Sequence, residues 1–283
     1  MITWPPSLVP EVAERRCIVF LGAGVSRSSE GRAGKRPPNW PGLLATLAGK
    51  MRNHSERLVA DQLIKECKYL EAAEVIRADL LGADFAMALH QELSEPNYTP
   101  SKLHEAVRSL DLKVTVTTNY DQIYEACCDQ GGADKYYNTC MYYQSHLVND
   151  LKSSRRLIVK AHGCLSDPSK AMLTRGEYFR ARRDYGNFYD ILDALFTTNT
   201  ILFLGYSLDD PDIRLVLENV HITAPTVSPH YAVVEAGQHS AIKRAIKDSY
   251  NVELLEFSKG GYNEVIDAVR QLSDDVAIYR DTH

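Results

Sequence analysis

What this sequence lacks narrows it before any motif is read. Its six cysteines, Cys17, Cys67, Cys127, Cys128, Cys140 and Cys164, include no Cys-x-x-Cys pair. Their spacing therefore encodes neither a disulfide framework nor a paired-cysteine zinc site. The opening MITWPPSLVPEVAERR has no charged head, apolar run and small-residue cleavage site, which argues against a secretory signal. No stretch approaches the roughly 18 apolar residues of a membrane helix. Together these absences point to reduced thiols in a cytoplasmic protein. Basic excess is missing too. The chain has 32 Lys+Arg against 37 Asp+Glu, a net charge of −5, which weighs against a duplex-binding face.

What is present is a globular chain of 283 residues, 45% hydrophobic, long enough to bury a sizeable core without staples. Short β-branched runs alternate with helical patterns. The strand candidates are Cys17–Leu21, Val114–Thr118, Leu157–Val159, Ile201–Leu204, Tyr231–Val234 and Val252–Leu255. They are continuous apolar runs, as expected of parallel strands covered on both faces. Helical spacing fills Trp40–Arg52, Glu56–Leu81, Ala83–Leu93, Lys102–Leu110, Tyr120–Cys128, Asn187–Thr197, Asp212–Val220, Ser240–Asp248 and Asn263–Leu272. This alternation predicts an α/β fold, a doubly wound Rossmann-like parallel sheet. The mostly helical stretch between the first two strands, about residues 40–110, is too long for a simple crossover and reads as a helical insertion. With no dividing linker, residues 1–283 are expected to form a single domain.

Four strand ends carry the polar and glycine residues that could do chemistry, because the loops there line the ligand crevice of an open parallel sheet. The first, FLGAGVSRS, offers Gly22, Ala23, Gly24 and Ser26. Glycines let a backbone approach a phosphate closely. With Arg27 at the third glycine position, the motif is equally a tight turn. The second, VTTNYDQIYE, places Asn119 and Asp121 where a helix begins; either could be an N-cap. The third, LIVKAHGCL, sets His162 beside Gly163, and imidazole titrates near neutral pH. The fourth, ILFLGYSLDDPDIR, gives Gly205, Tyr206 and Ser207, with Asp210 and Asp212 as helix-start residues around Pro211.

Taken in order, GAGVS, TTNYD, KAHG and LGYSLDDPD resemble the sirtuin family, whose NAD-binding core carries Gly-Ala-Gly-x-Ser, Thr-Gln-Asn-x-Asp, Lys-Leu-His-Gly and Gly-Thr-Ser segments. The likeness is greater to the bacterial sirtuin-like NAD-hydrolysing proteins of anti-phage defence, which use Thr-Thr-Asn-Tyr-Asp, Gly-Tyr-Ser and a Pro-x-Trp, here Pro38-Asn39-Trp40. Two departures matter. The interval from Gly163 to Leu204 holds one cysteine, Cys164, so the four-cysteine zinc module of protein deacylases is absent. The deacylase Pro-Asp-Phe-Arg segment is replaced by SSEGRAGKRPPNW.

The resemblance implies an NAD+ hydrolase with water as acceptor, NAD+ as substrate and no zinc. Asn119 and His162 would be catalytic: Asn119 orients water and a ribose hydroxyl, and His162 acts on the ribose hydroxyls as general base. Gly22, Ala23, Gly24 and Ser26 would hold the pyrophosphate, and Asp121 would bind near the nicotinamide or fix Asn119. Gly205 and Ser207 would line the adenosine side, with Tyr206 as a wall. A deacylase, an ADP-ribosyltransferase, or an NAD- or ADP-ribose-sensing module without turnover are the alternatives. The short layout resembles the sirtuin-like subunit of Nezha-type systems. That likeness implies a homo-oligomer docking on a HerA-like hexameric ATPase, with no direct contact to nucleic acid or membrane.

Other clusters read blandly. Arg175, Arg180, Arg182 and Arg183 look like a solvated or partner-facing run, and Lys152, Arg155 and Arg156 like a loop before a strand. Tyr136, Tyr137, Tyr142 and Tyr143 read as packing on an irregular segment. His54, His90 and His104 read as helix-surface residues.

Overall fold

The computed structural model describes residues 2–130, 137–208, 210–224 and 228–282. The chain opens with α1 (Leu8–Ala13) and β1 (Cys17–Leu21), followed by a single helical turn, α2 (Ala23–Ser26). The helices α3 (Trp40–Ala48), α4 (His54–Lys65), α5 (Tyr69–Asp79), α6 (Gly82–Leu93) and α7 (Lys102–Ser109) precede β2 (Val114–Thr117). Then come α8 (Ile123–Asp129), β3 (Tyr137–Met141), α9 (Leu147–Lys152), β4 (Arg156–Lys160), α10 (Arg175–Asp184), α11 (Gly186–Thr198) and β5 (Thr200–Leu204). The last elements are α12 (Pro211–Thr223), β6 (His230–Glu235), α13 (Ser240–Tyr250), β7 (Val252–Phe257) and α14 (Tyr262–Thr282). Among the described residues no helix is long and apolar enough to cross a membrane.

The seven strands form one parallel sheet in the order β3-β4-β2-β1-β5-β6-β7. The fold is therefore α/β and Rossmann-like, as the alternation predicts. All five residues of β1 are buried because helices cover both faces. Ile18 and Phe20 point into a core shared with Phe196, Phe203 and Val216. Cys17, Val19 and Leu21 point into the other, with Val107, Val269 and Leu272. Helices α3 to α6 carry a third core of their own, which also takes in Tyr120 and Leu173. Those two residues lie in the loops after β2 and β4, so the helical segment is packed directly onto loops at the strand ends.

The structure differs from the sequence expectations in several places. The expected helix Glu56–Leu81 is two helices. Cys67 adopts φ 58°, and its N–H and that of Lys68 bond the Ile64 and Leu63 carbonyls at 3.0 and 2.9 Å. This is a Schellman stop, invisible in the sequence because cysteine rather than glycine takes the left-handed position. Strand β3 carries no apolar run. As the sheet edge, with four of its five residues only half-buried, it needs none. Helix α10 covers the basic run, opened by a capping box between Thr174 and Glu177; the Thr-x-x-Glu spacing was its signal. Helix α8 starts at Ile123 rather than Tyr120, because residues 119–122 form the loop described next.

Candidate active site

The sheet order reverses between β1 and β5, which places the crevice of an open α/β sheet at their carboxyl ends. There the loops after β1 and β5 are in backbone contact. Gly22 N–H donates to the Leu204 carbonyl at 2.9 Å and Gly24 N–H to that of Gly205 at 2.8 Å. A Cβ on Gly24 would lie 2.8 Å from Gly205 Cα, and Gly205 itself sits at φ 62°. The glycines thus serve close packing of two loops, and two of the N–H groups expected to face a phosphate are engaged within the protein. Gly24, Gly205 and Ser207 are exposed and Ala23 is half-buried, so these residues form the outer lip.

The loop after β2 locks onto that lip. Asn119 Nδ2 donates to the Gly22 carbonyl and to Ser26 Oγ, both at 3.0 Å. Ser26 in turn donates to Asp121 Oδ2 at 2.7 Å. The other oxygen of Asp121 accepts the Ile123 N–H at 3.1 Å, starting α8. Beneath them Lys160 is fully buried. Its ammonium pairs with Glu125 at 2.8 Å and donates to the Asp121 carbonyl. Burial opposes the charge on Lys160, but Glu125, Cys164 and Asp121 outweigh it and hold its pKa above the usual value. Asp121 therefore fixes Ser26 and, through it, Asn119.

The loop after β4 carries His162, buried to 2% exposure under the Tyr178 ring of α10, with ring centroids 5.0 Å apart. Two carboxylates face the imidazole: Asp210 Oδ2 lies 3.5 Å from Nδ1 and Asp212 Oδ2 lies 3.8 Å from Nε2. Burial is the largest influence on His162 and lowers its pKa, but the two aspartates overcome it and the net direction is upward. Asp212 is also disfavoured as an anion by burial, yet His162 and Arg182 hold its pKa below the usual carboxylate range. Asp210 does cap α12, accepting from the Asp212 and Ile213 N–H groups at 2.9 and 3.3 Å. The helix-start reading of both aspartates is thus incomplete, since each also faces the histidine. Asp209 lies outside the described residues.

The two halves are stitched through Tyr120. Its carbonyl accepts from Leu165 N–H at 2.9 Å, its hydroxyl donates to the Met172 carbonyl at 2.6 Å, and Met172 N–H donates to the His162 carbonyl at 3.0 Å. The side chains of Asn119 and His162 make no hydrogen bond with each other among the described residues. Tyr206 is no exposed wall: it packs against Phe20 and Phe203 at centroid distances of 4.8 and 5.5 Å.

Several residues differ from their sequence reading. His104 is buried, not on the helix surface. It accepts the Ser101 N–H at 3.2 Å, and burial, opposed by Asp121, pushes its pKa down to about 4. Arg182 is not part of a solvated run, since its Nε pairs with Asp212 at 2.5 Å. Arg156 is in β4 and bonds Asp111 at 2.5 Å. Tyr137 lies in β3 and Tyr142 is buried; Tyr136 falls outside the described residues. All six cysteines are free. Among the described residues one group has metal-ligand composition: Cys140, His146 and Asp150, whose ligand atoms lie within 4.8 Å of one another near the β3 edge. Asp150 is already bonded by Asn138 at 2.8 Å and paired with His146 at 3.3 Å.

The sequence from residue 113 to 255, just over half of the chain, matches the SIR2-like domain family. This chain belongs to the SIR2-like family. The matched span includes Asn119, Asp121, His162, Gly205, Asp210 and Asp212, and begins after the glycine loop. The SIR2-like chain is 25% identical over 254 residues to the NAD(+) hydrolase ThsA of Acinetobacter baumannii, an alignment covering 88% of this chain and 48% of that protein. It is 27% identical over 222 residues to the ThsA of Enterococcus faecium, covering 76% and 42% of the two chains. With the Defense-associated sirtuin 2 of Bacillus subtilis it shares 25% identity over 213 residues, 71% of this chain and 19% of that one. The chain thus spans about half or less of the length of these relatives.

Proposed function

We propose that this SIR2-like chain cleaves the nicotinamide–ribose bond of NAD+ with water, giving nicotinamide and ADP-ribose. The observation that carries the reading is the placement of Asn119 and His162 on adjoining strand-end loops, each held by buried carboxylate chemistry. Nicotinamide leaves NAD+ as a neutral molecule, so it needs no proton. The task of the site is to orient the ribose and water and to receive one proton. Asn119, its amide fixed by Gly22 and Ser26, would present its side-chain oxygen to the attacking water or a ribose hydroxyl. His162 would accept the proton as general base, a role typically contributing about 10²–10⁴ in rate. The exposed lip of Ala23, Gly24, Gly205 and Ser207 would follow the dinucleotide, with Gly22, Ser26 and Asp121 supporting it from beneath.

Relatives named as NAD(+) hydrolase and defense-associated sirtuin support NAD+ cleavage in a defence role, which we read, with the motif resemblance, as depletion of NAD+ during phage infection. In that reading the chain assembles as a homo-oligomer on a HerA-like hexameric ATPase. The chemical proposal is tested by incubating the protein with NAD+ and separating the products chromatographically. Nicotinamide release lost in folded Asn119→Ala and His162→Ala proteins supports it; full activity in both variants overturns it. Mass measurement of the protein alone and mixed with the ATPase tests the assembly, and a strictly monomeric protein that ignores the ATPase ends that part of the reading.

A further inference from the structure

Asp212 is a buried carboxylate in the first turn of α12. Its side chain is 2% exposed, and both oxygens are engaged. Oδ1 receives the Arg182 Nε at 2.5 Å and Oδ2 receives the Tyr189 hydroxyl at 3.1 Å. Arg182 closes the clamp by donating from Nη2 to the Asp212 carbonyl at 2.8 Å, with its guanidinium 5.0 Å from the centre of the Tyr189 ring. A carboxylate braced in this way cannot swing without breaking bonds on two other helices. Its Oδ2 is aimed at His162 Nε2, a buried nitrogen with no hydrogen-bond partner. Asp210 Oδ2 lies nearer the ring, 3.5 Å from Nδ1, but Asp210 is less firmly held. One of its oxygens caps α12, and its side chain is 15% exposed.

We infer that Asp212, locked by Arg182 and Tyr189, is the positioning residue for His162: it holds the ring proton on Nε2 and leaves Nδ1 as the atom that accepts a proton from water or a ribose hydroxyl. The inference rests on the NAD+-cleaving reading of this site. The gap of 3.8 Å is longer than a hydrogen bond, and catalytic contacts of this kind commonly tighten only when substrate is bound. The proton balance is simple. The hydroxyl proton moves to Nδ1, and the resulting imidazolium is stabilised by Asp210 beside Nδ1 and Asp212 beside Nε2 until the proton is returned to solvent. The groups facing His162 are Asp210, the residue that caps α12, Asp212 in the first turn of α12, and Tyr178 and Arg182 from α10. Tyr189 of α11 acts through Asp212, to which its hydroxyl donates. Of these, Arg182 works against an imidazolium and the two aspartates work for it.

The test pairs histidine NMR with turnover in the full chain. His162 is identified by the signal missing from His162→Gln, and its titration is followed in wild type, Asp212→Asn, Asp212→Glu and Arg182→Gln. The wild-type midpoint should lie above about 6.5, fall by at least about one pH unit in Asp212→Asn, and recover in part in Asp212→Glu. Arg182→Gln should raise the midpoint, because a positive charge is lost, while still lowering kcat as Asp212 is released. A purely structural role would not give that opposite pairing. In NAD+ cleavage, Asp212→Asn should lose about 10²-fold in kcat with KM within about two-fold of wild type. Equal His162 midpoints in wild type and Asp212→Asn overturn the inference, as does unchanged kcat. If Asp212→Asn does not fold, the Arg182→Gln titration decides. A wild-type protein that never cleaves NAD+ ends the functional reading, and the NMR titration still decides whether Asp212 sets the state of His162.

Discussion

The Ser26 hydroxyl donates to the Asp121 carboxylate at 2.7 Å across 95 positions of sequence. This one bond joins the loop after β1 to the loop after β2, and the same hydroxyl oxygen accepts from Asn119. Ser26 is therefore a brace for the asparagine as much as a group a phosphate could meet. Ser26→Ala removes the acceptor for Asn119 and leaves Asp121 short of a donor. We expect a stability loss of about 1–3 kcal/mol and a fall in kcat for NAD+ cleavage larger than any rise in KM. Denaturant midpoints and steady-state kinetics check this; an effect confined to KM would return Ser26 to a phosphate-binding role.

Activity and stability should respond to pH in opposite directions. His162 carries a pKa raised by Asp210 and Asp212 against the effect of burial. Its imidazolium thus contributes stability that is complete below the unfolded value of about 6.5 and is lost as pH rises through the raised folded value. Over that same window the neutral, proton-accepting form grows. The thermal-midpoint advantage of wild type over His162→Gln should therefore shrink as kcat/KM climbs. A kcat/KM that falls across the window would exclude His162 as the base.

Asp212 sets the acid side. Its pKa is held down by His162 and Arg182 against burial, so its contribution is present above about pH 4 and is lost as pH falls through the depressed folded value. Wild type should lose thermal stability relative to Asp212→Asn on acidification below that point. Parallel curves for the two proteins would show that the carboxylate is not depressed.

The contact between the β1 and β5 loops leaves no room for a methyl group. Gly24→Ala places Cβ 2.8 Å from Gly205 Cα, and Gly205→Ala places it 2.8 Å from the Gly24 carbonyl carbon at φ 62°. Each should cost about 2 kcal/mol or more, read as a lower denaturant midpoint. Gly34→Ala is the contrast: its φ is 70° but nothing lies within 4 Å. It should cost less than either.

Lys160 is buried and pairs with the half-buried Glu125, and losing one partner of such a pair is more harmful than losing both. Lys160→Met should destabilise by about 3–5 kcal/mol, and adding Glu125→Leu should restore part of the loss. A double-mutant cycle showing simple additivity would mean that the two groups do not act as a pair.

Much of the fold was legible because its physics is local. The six continuous apolar runs marked six strands, since a strand covered on both faces must be apolar throughout. The glycine loop, Asn119, His162 and the Asp-Pro-Asp helix start could be found by their position just after those runs. Strand β3 escaped because an edge strand needs no such pattern, and the break at Cys67 because a Schellman stop without glycine leaves helical spacing intact.

The division of labour is clearest around His162. The sequence by itself placed a histidine after one strand and two aspartates after another, and each was understandable as a loop or cap residue in its own neighbourhood. Only the tertiary structure brings Asp210 and Asp212 to opposite nitrogens of that ring and sends Arg182, from a run read as solvated surface, to clamp Asp212. Burial then gives these charges their strength, because an imidazole and carboxylates removed from water feel each other far more than they would on a surface. Spacing along a chain fixes which strand end a residue occupies. Which strand ends meet, and how dry the meeting place is, follows from the parallel sheet order and the packing around it.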